Sequence, residues 1–547
     1  MSILATLLLS FTLSHVACFG DETPDTYYGK IVVPRSQELR WSNGGLPQTF
    51  DPAFAAAPPD TDAVRALFEG LTDYDSKTLA PIPGVATRWE SSMDARVWTF
   101  HLREDARWSN GEKVTAADFV KSWERTIRIG PLAPHTELLA NIEGATAIDT
   151  RERDAREESS DKTTPAPPQR LGVEAVSDHV LRVRLQEPDA NFPALVAHPV
   201  FRPVKIPEPN LTRRLEPREL VSNGAFVLTE TQGDRVLLER ARTYWDDASV
   251  SLERVAFVNT ANAEQALAAY HSGEIDAVTS APFEPLALKL LAPYKDFNRT
   301  TFGALTYYSF NASRIPFDDV RVREALAISI DREKVTRNDL GGATEAAGKF
   351  LPEEMSGEQP VVSKTELLEQ DIERARQLLA EAGYPNGEGF PIIRLLINRN
   401  EQQRIVAQAI AAMWLNALNI ETEIVIRNWD EYAAAVKAGD YDIVRRGAVM
   451  QTTDELTNLR MLFPLEQGAV SATSSSSGGA PVADEQLAQS SVESESQALK
   501  ELRAMPIYFA SSYSLVKPYV SGFDTNVLEA RSLKRTRINT QWSEAQP

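Results

Sequence analysis

The sequence predicts an α/β protein built from two related lobes, and two observations support this prediction. The chain has 547 residues, which is more than one hydrophobic core usually spans. In addition, the segments 268–278 (AAYHSGEIDAV) and 434–444 (AAVKAGDYDIV) match in residue type almost position for position. Each segment shows a helix end, a glycine stop at Gly273 or Gly439, and a short strand of the form apolar-Asp-apolar-Val.

Each copy of this pattern follows a strand-like run, at 255–259 or at 424–426. Each copy therefore predicts a βαβ unit whose second strand is parallel to the first. The copies lie about 165 residues apart, which is too far for a solenoid repeat. They favour two α/β lobes, and we expect a crevice between the lobes to receive both strand ends.

The other elements follow from local patterns. Thr115 and Asp118 have the spacing of a capping box, which predicts a helix that starts near residue 115. Apolar residues alternate along 97–102 and 181–185, and a turn separates two strand-like runs at 226–231 and 235–240. Apolar periodicity predicts further helices at 62–71, 318–330, 372–383, 404–418 and 491–503, and strands ending near 43 and over 505–520.

Charge and motif content exclude several classes of function. The chain carries 57 basic and 77 acidic residues, a net charge of −20, and no Lys/Arg-rich run, so nucleic acid is not expected as a partner. The six histidines are scattered without a metal-binding spacing, and no nucleophile elbow or phosphate-binding loop occurs. We therefore expect no cofactor and no enzyme activity, although a triad assembled from distant residues would leave no local motif.

The start of the chain has the features of an export signal. The apolar run 3–13 is too short to span a bilayer, and it precedes Cys18, the only cysteine in the chain. The preceding residues 14–17 resemble a lipobox, so residues 1–18 are interpreted as a signal peptide with Cys18 as its lipidated residue. The alternative is an unmodified cysteine in a discarded peptide. With one cysteine, an internal disulfide is excluded.

The segment 439–464 (GDYDIVRRGAVMQTTDELTNLRMLFP) is the main candidate for a site. It runs from a helix stop through a short apolar strand into two arginines and a polar loop. Ligands of open α/β sheets bind beyond the carboxyl ends of strands, so Arg445, Arg446 and Gly447 are candidates for ligand contact. The alternative is a surface strand end with two solvated arginines.

The charged stretch 151–170 and the low-complexity run 472–481 predict solvated segments rather than packed elements.

Several longer segments, in order along nearly the whole chain, carry a family resemblance. They are LFEGLTDYD (67–75), PGVATRWESSMDARVWTFHLREDARWSNGEKVTAADFVKSWERT (83–126), SNGAFVLTE (222–230), SGEIDAV (272–278), YYSFNASRIPFDDVRVREALAISIDREKV (307–335), AGYPNGEGFP (382–391), GDYDIV (439–444) and PIYFASSYSLVKPYVSGFDTN (506–526). Together they strongly resemble the bacterial extracytoplasmic peptide-binding proteins, the solute-binding components of oligopeptide and dipeptide ABC transporters.

This resemblance implies a two-lobed periplasmic-binding-protein fold with three domains and a ligand cleft between the lobes. The expected division gives residues 26–55, 190–300 and 506–547 to the core of lobe 1, 56–189 to an additional domain, and 301–505 to lobe 2. The implied function is capture of a peptide or peptide-like solute by lobe closure and delivery to a membrane permease. We accordingly expect a monomer that is periplasmic or otherwise extracytoplasmic, without catalysis.

The resemblance also places ligand residues within the segment 439–464. Relatives carry an Arg-x-Gly-Trp-x-x-Asp pattern whose aspartate pairs with the α-amino group of the ligand. Here Arg445 and Gly447 match, whereas Ala448 replaces the tryptophan and Gln451 the aspartate. A neutral amide loses the charge-assisted hydrogen bond, which is about twice as strong as a neutral one. Asp454 is an alternative ammonium partner, and Arg446 an alternative partner for an anionic ligand.

On the other lobe, Ser42, Asn43 and Gly44 fall where relatives pair their backbone with the ligand, and the glycine permits close approach. Two alternative functions remain at this stage. In the first, the chain keeps the fold but its pocket has drifted to an anionic or non-peptide solute. In the second, the chain is a scaffold or accessory protein that has lost its transport ligand.

Overall fold

The computed structural model describes residues 26–145, 171–205, 216–231, 233–355, 367–463 and 492–544. The predicted signal peptide 1–18 with Cys18, the charged stretch 151–170 and the low-complexity run 472–481 lie outside these ranges. Among the helices that are described, none is both long enough and apolar enough to cross a membrane.

The described residues form nineteen strands in four sheets. The strands are β1 (Glu38–Asn43), β2 (Thr72–Tyr74), β3 (Pro81–Pro83), β4 (Ala86–Ser91), β5 (Val97–Leu102), β6 (Val173–Ser177), β7 (Val180–Arg184), β8 (Phe226–Glu230), β9 (Arg235–Arg240), β10 (Arg254–Val258), β11 (Ala277–Thr279), β12 (Phe297–Phe310), β13 (Thr344–Ala346), β14 (Ile393–Asn398), β15 (Thr422–Arg427), β16 (Ile443–Val449), β17 (Ala504–Val516), β18 (Val520–Ser521) and β19 (Arg537–Ile538).

Helices cover the faces of these sheets. The described α-helices are α1 (Asp60–Leu67), α2 (Ala116–Ile129), α3 (Phe192–Leu195), α4 (Ala263–Ser272), α5 (Pro285–Leu291), α6 (Val320–Ile328), α7 (Arg332–Lys334), α8 (Ile372–Glu381), α9 (Glu401–Leu418), α10 (Trp429–Ala438), α11 (Glu455–Leu462) and α12 (Glu495–Glu501). Most predicted elements are therefore present, and their ends shift by a few residues. The predicted helix 62–71 is shorter than expected because the chain becomes extended at Phe68.

The largest sheet is symmetric in its strand order. Eleven strands belong to it, and ten follow the order β15-β14-β16-β12-β17-β11-β1-β10-β9-β8, with β13 added beside β17. On one side, β1 pairs in parallel with both β10 and β11. On the other side, β14 pairs in parallel with both β15 and β16. Each lobe thus has a central parallel strand between the two strands of one βαβ unit.

The internal repeat seen in the sequence corresponds to these two units. Gly273 and Gly439 end α4 and α10 in the left-handed backbone conformation, with φ of 84° and 64°. Just before the second strand of each unit, Asp276 accepts a hydrogen bond from the backbone N–H of Arg40 at 2.7 Å, and Asp442 accepts one from the backbone N–H of Arg394 at 2.8 Å. The repeated aspartate therefore ties the second strand to the central strand in both lobes.

Two long antiparallel strands, β12 and β17, join the lobes. Their pairing runs from Phe297 opposite Leu515 to Thr301 opposite Ser511, is interrupted, and resumes at Leu305 opposite Phe509. The first part lies beside β11 in lobe 1, and the second lies beside β16 in lobe 2. The predicted domain boundary at 505/506 falls inside β17, and the domain division remains a prediction.

At the interruption, Gly303 connects three segments of chain. Its N–H donates to the carbonyl of Val527 at 2.8 Å, and its carbonyl accepts from the N–H of Met450 at 2.7 Å. A Cβ atom at this position would lie 3.1 Å from the Val527 carbonyl oxygen and 3.0 Å from the Met355 side chain. Glycine therefore permits the close approach of the segments at the point where the two strands change partners.

A separate four-stranded sheet, β4-β5-β7-β6, packs against α2. The capping box of Thr115 and Asp118 is present at the start of α2, as predicted. Trp123 is fully buried in this helix and donates its indole N–H to the carbonyl of Phe201 at 2.8 Å. This sheet lies within residues 56–189, the range expected for the additional domain.

One buried ion pair holds α2 to the segment that follows β1. The guanidinium of Arg125 donates two hydrogen bonds to the Asp51 carboxylate, at 2.9 and 2.6 Å. The two side chains are 1% and 0% exposed. Removing one partner of such a pair leaves an uncompensated charge in the interior.

We predict that Arg125→Met lowers the free energy of unfolding by about 3–5 kcal/mol, because Asp51 then stays buried without its cation. The measurement is urea unfolding followed by circular dichroism. Arg128→Met on the same helix is the control, since that side chain is 50% exposed. Equal stability of the two variants would contradict the prediction.

Candidate functional site

A cavity of about 570 Å³ lies where the two lobes meet. It is the candidate site because both lobes and both crossing strands contribute to its wall. The lining residues are Ala56, Ala57, Pro58, Thr61, Arg65, His135, His198, Ser280, Ala281, Phe302, Val449, Met450, Gln451, Ser511, Ser512, Tyr513, Leu528 and Glu529.

The carboxyl ends of the two repeated strands meet at this cavity. Ser280 and Ala281 follow β11 of lobe 1, and Val449 ends β16 of lobe 2, followed by Met450 and Gln451. Phe302 belongs to the interrupted part of β12. The expectation that a crevice would receive both strand ends is therefore confirmed by the geometry.

The predicted residues Arg445, Arg446, Gly447 and Ala448 lie within β16 and not in a loop after it. They pair with residues 305–308 of β12. Because of this pairing, β16 is longer than the short strand expected from the sequence. Arg445 donates to the Thr306 hydroxyl at 3.4 Å. These four positions lie further back along the strand, outside the wall of the cavity.

The predicted residues Gln451 and Asp454 have different environments. Gln451 lines the cavity, and its Oε1 lies 3.2 Å from Nε2 of His198 in the other lobe. Asp454 is buried and caps α11 by accepting a hydrogen bond from the N–H of Thr457 at 2.7 Å. Its carboxylate also accepts from the side-chain amide of Asn191 at 3.1 Å. Asp454 thus connects the lobes beside the cavity without lining it.

The predicted residues Ser42, Asn43 and Gly44 lie behind the cavity wall in lobe 1. Asn43 is fully buried, donates to Asp62 at 2.8 Å, and accepts from the Ser280 hydroxyl at 2.9 Å. The Ser42 hydroxyl pairs with that of Thr260. Gly44 has a φ of 69°, and a Cβ there would lie 2.8 Å from the Ser280 carbonyl. These residues position Ser280, which does line the cavity.

Two histidines that are 63 positions apart in the chain (135 and 198) meet at the cavity, and no sequence motif links them. The rings of His135 and His198 are 4.9 Å apart in an edge-to-face arrangement. Burial, with a smaller effect of His135, holds the pKa of His198 well below its usual value. A neutral His198 ring therefore faces Gln451 across the lobe boundary.

The cavity wall also carries one cation and one anion among its described residues, Arg65 and Glu529. Glu529 uses Oε1 to accept from the Ser512 hydroxyl, and the same oxygen lies 3.5 Å from the guanidinium of Arg531. Beneath them, Asp62 is 2% exposed. Burial raises the pKa of Asp62 to about 6, partly opposed by Arg531. No sequence pattern singled out Arg65, Glu529 or Asp62 as a candidate for the site.

An exposed tryptophan stands on the same edge of the lobe 2 sheet. Trp429 follows β15, is 66% exposed, and stacks on Tyr432 with ring centres 5.5 Å apart. The Tyr432 hydroxyl donates to the carbonyl of Arg445. Because β15 and β16 are both parallel to β14, their carboxyl ends share one edge, so Trp429 and Gln451 face the same side.

Comparison with known proteins gives one consistent result. Residues 80–468 match the family described as bacterial extracellular solute-binding proteins, family 5. The chain is 33% identical to the periplasmic murein peptide-binding protein MppA of Escherichia coli, over 97% of each chain. It is 30% identical to the periplasmic oligopeptide-binding protein OppA of the same organism, over 90% of this chain and 91% of the relative.

The fold agrees with this result. The unliganded open form of the MppA murein tripeptide binding protein superposes with a TM-score of 0.75 at 30% identity, covering 93% of this chain and 98% of that one. The predicted two-lobed α/β fold and the predicted family are thus confirmed.

The raised pKa of Asp62 leads to a prediction about pH. Between about pH 4 and pH 6, the Asp62 carboxyl binds more protons in the folded protein than in the unfolded chain, so its contribution makes stability fall as pH rises through that window. Asp62→Asn removes the effect. We expect the variant to gain about 2–3 kcal/mol over the wild type between pH 4 and pH 7.

The measurement is chemical unfolding of both proteins across this pH range. Asp105→Asn, which removes a carboxylate that is 67% exposed, serves as the control. Parallel stability curves for the wild type and Asp62→Asn would contradict the assignment.

Proposed function

The chain belongs to the family 5 bacterial extracellular solute-binding proteins, and from that membership we propose that it captures peptides or peptide-like solutes and delivers them to an ABC transporter. The observation that carries this proposal is the cavity between the lobes, whose wall combines the ends of β11 and β16 with the crossing strands. Relatives named for peptide binding cover nearly the whole chain, which supports the same ligand class.

The proposed mechanism is closure of the lobes around the solute. Pivoting at the interrupted region of β12 and β17 brings Ser280 and Gln451, which lie on different lobes, against one ligand. A ligand that contacts both lobes only in the closed state stabilises that state by the difference in its affinity for the two states. No bond of the solute needs to break in this cycle, so we propose binding without catalysis.

The wall is suited to a peptide because it offers polar groups beside apolar ones. The hydroxyls of Ser280, Ser511 and Ser512 can meet backbone amide groups, directly or through water, and Phe302 and Leu528 provide apolar contact. Contacts of this kind favour the peptide backbone over particular side chains. The scaffold alternative is less well supported, because it does not account for an open cavity of this size.

The predicted ligand residues enter this proposal in different roles. Gln451 contacts the ligand directly, and Arg445, Arg446, Gly447 and Ala448 serve a longer ligand that extends along β16 towards Trp429. Ser42, Asn43 and Gly44 support Ser280, whose hydroxyl donates to the Asn43 side chain. Asp454 supports the loop that carries Gln451.

We extend the proposal to the location of the protein. The relatives are periplasmic proteins by name. By this proposal the protein is extracytoplasmic and has a signal peptide over residues 1–18. It is anchored through a lipid on Cys18 and acts as a monomer beside a membrane permease. Growth in labelled palmitate followed by mass spectrometry of Cys18→Ser and wild-type protein tests the anchor.

The proposed capture of peptides predicts a concentration-dependent thermal shift. A ligand that binds only the folded protein raises the melting temperature, by about 2.7 kcal/mol of added stability at one hundred times its Kd. The measurement is differential scanning fluorimetry with a library of di- to pentapeptides and with matched free amino acids. Absence of a shift with every peptide would disprove peptide capture.

A second prediction concerns the amino group of the ligand. Gln451 carries no charge, and Glu529 is the carboxylate among the described residues of the wall; its Oε2 accepts no hydrogen bond from the described residues. We expect N-acetylation of a bound peptide to weaken binding about tenfold in the wild type, because a hydrogen bond to a charged group contributes about 1.5 kcal/mol.

In Glu529→Gln the free and acetylated peptides should bind with equal affinity. Glu333→Gln, whose side chain is 60% exposed, provides the control and should retain the tenfold difference. Isothermal titration calorimetry measures both. A tenfold preference that persists in Glu529→Gln would place the ammonium partner elsewhere.

A further inference from the structure

The guanidinium of Arg65, in the cavity wall, is unpaired among the residues that the structure describes. Arg65 is half-buried near the end of α1 and lines both the main cavity and a cavity of about 20 Å³ beneath it. Its guanidinium makes no hydrogen bond or ion pair with any residue that the structure describes. An unpaired guanidinium at such a position is costly, because burial removes the water that would otherwise solvate its charge.

Other buried arginines of the chain show what Arg65 lacks. Arg125 is paired with the Asp51 carboxylate, and Arg202 donates to the Phe68 carbonyl and to Asp73. Arg323 donates to four backbone carbonyl groups. The fold therefore supplies acceptors to these three arginines, and Arg65 differs from them by facing a space that a solute can enter.

The surroundings of Arg65 leave its charge without a direct counterion. Burial and the nearby Arg202 lower the pKa of Arg65, while Asp73 and Asp62 oppose this from a distance. Asp73 is already occupied by Lys534, at 3.1 Å, and by Arg202, at 3.3 Å. Asp62 accepts from Asn43.

The other polar residues of the cavity wall do not pair with Arg65 either. Gln451, from lobe 2, is neutral, and the neutral ring of His198 stands beside it. Glu529 shares Oε1 between Ser512 and Arg531. Glu529 is the anion of the wall, but it forms no ion pair with Arg65, so the guanidinium of Arg65 is unpaired among the described residues.

We propose that Arg65 binds a carboxylate of the ligand. This inference rests on the proposed capture of peptides and specifies the group by which they are held in lobe 1. A guanidinium meets a carboxylate with two parallel hydrogen bonds, which is a stronger and more directional contact than a neutral pair. The carboxylate is either the carboxyl terminus of the peptide or an acidic side chain.

Four tripeptides separate these two sources. The first pair is trialanine and its carboxyl-terminal amide, and the second pair is the amidated peptides alanyl-glutamyl-alanine and alanyl-glutaminyl-alanine. Isothermal titration calorimetry measures their Kd with the wild-type protein and with Arg65→Gln. In one pair, the peptide that has the carboxylate should bind the wild type about 10–100-fold more tightly than its neutral partner.

In Arg65→Gln this difference should vanish, and Arg65→Lys should restore part of it by keeping the charge without the planar fork. Arg337→Gln, 76% exposed on lobe 2, is the matched control and should behave like the wild type. A difference in Kd between trialanine and its amide assigns the carboxyl terminus to Arg65. A difference in Kd between the glutamyl and glutaminyl peptides assigns an acidic side chain.

Two results would overturn the proposal. Equal Kd values within both pairs for the wild type, or an unchanged difference in Arg65→Gln, would show that Arg65 does not read a carboxylate, while peptide capture itself would stand. If none of the four peptides binds the wild type, the proposed function fails together with this inference.

The melting temperature of Arg65→Gln without ligand is an independent test of the proposal. Because Arg65 has no partner among the described residues, Arg65→Gln should melt at the same temperature as the wild type or at a higher one. A lower melting temperature would show that the guanidinium already has a structural partner in the protein, and it would contradict the proposal.

Discussion

The pairing of β12 with β17 is the constraint on which the rest of the structure depends. These two strands pass between the lobes, and each lobe completes its sheet on one half of the pair. The interruption at residues 302–304 lets the two halves take different neighbours, and it leaves Phe302 in the wall of the cavity. The site is therefore located at the pivot, because the pivot is where the strand ends of both lobes converge.

The order of strands around this pair is nearly mirrored. Moving outward from β17, the sheet places β11, β1 and β10, and moving outward from β12 it places β16, β14 and β15. Asp276 and Asp442 make the same backbone contact in the two halves. The short repeat in the sequence, 268–278 and 434–444, lies at equivalent positions in these two halves.

Local chemistry made much of the fold predictable. The capping box of α2, the glycine stops of α4 and α10, and the alternation along β5 depend on residues a few positions apart, so the sequence displays them directly. The length of β16 was not predictable in this way. Its arginines become strand residues because β12 offers them partners from a segment more than a hundred positions earlier.

The composition of the site was even less accessible from sequence. Of the predicted ligand residues, Gln451 lines the cavity. Ser280, His198, Arg65 and Glu529 also line it, and no sequence pattern singled out these four positions. Their common property is position at one junction, which exists only after the chain has folded. Family resemblance pointed to the segment 439–464, of which Val449, Met450 and Gln451 line the cavity. That these residues bind ligand stays a prediction.

The place of β17 in this arrangement has a consequence for biogenesis. Leu515 pairs with both Phe297 and Val278, which are synthesised more than two hundred residues before it. A chain that emerges from a ribosome or an export channel therefore lacks the strand shared by both lobes until it is nearly complete, and such long-range pairing forms slowly. Until β17 is synthesised, the sheets of both lobes therefore have an open edge, and open strand edges favour association with other chains.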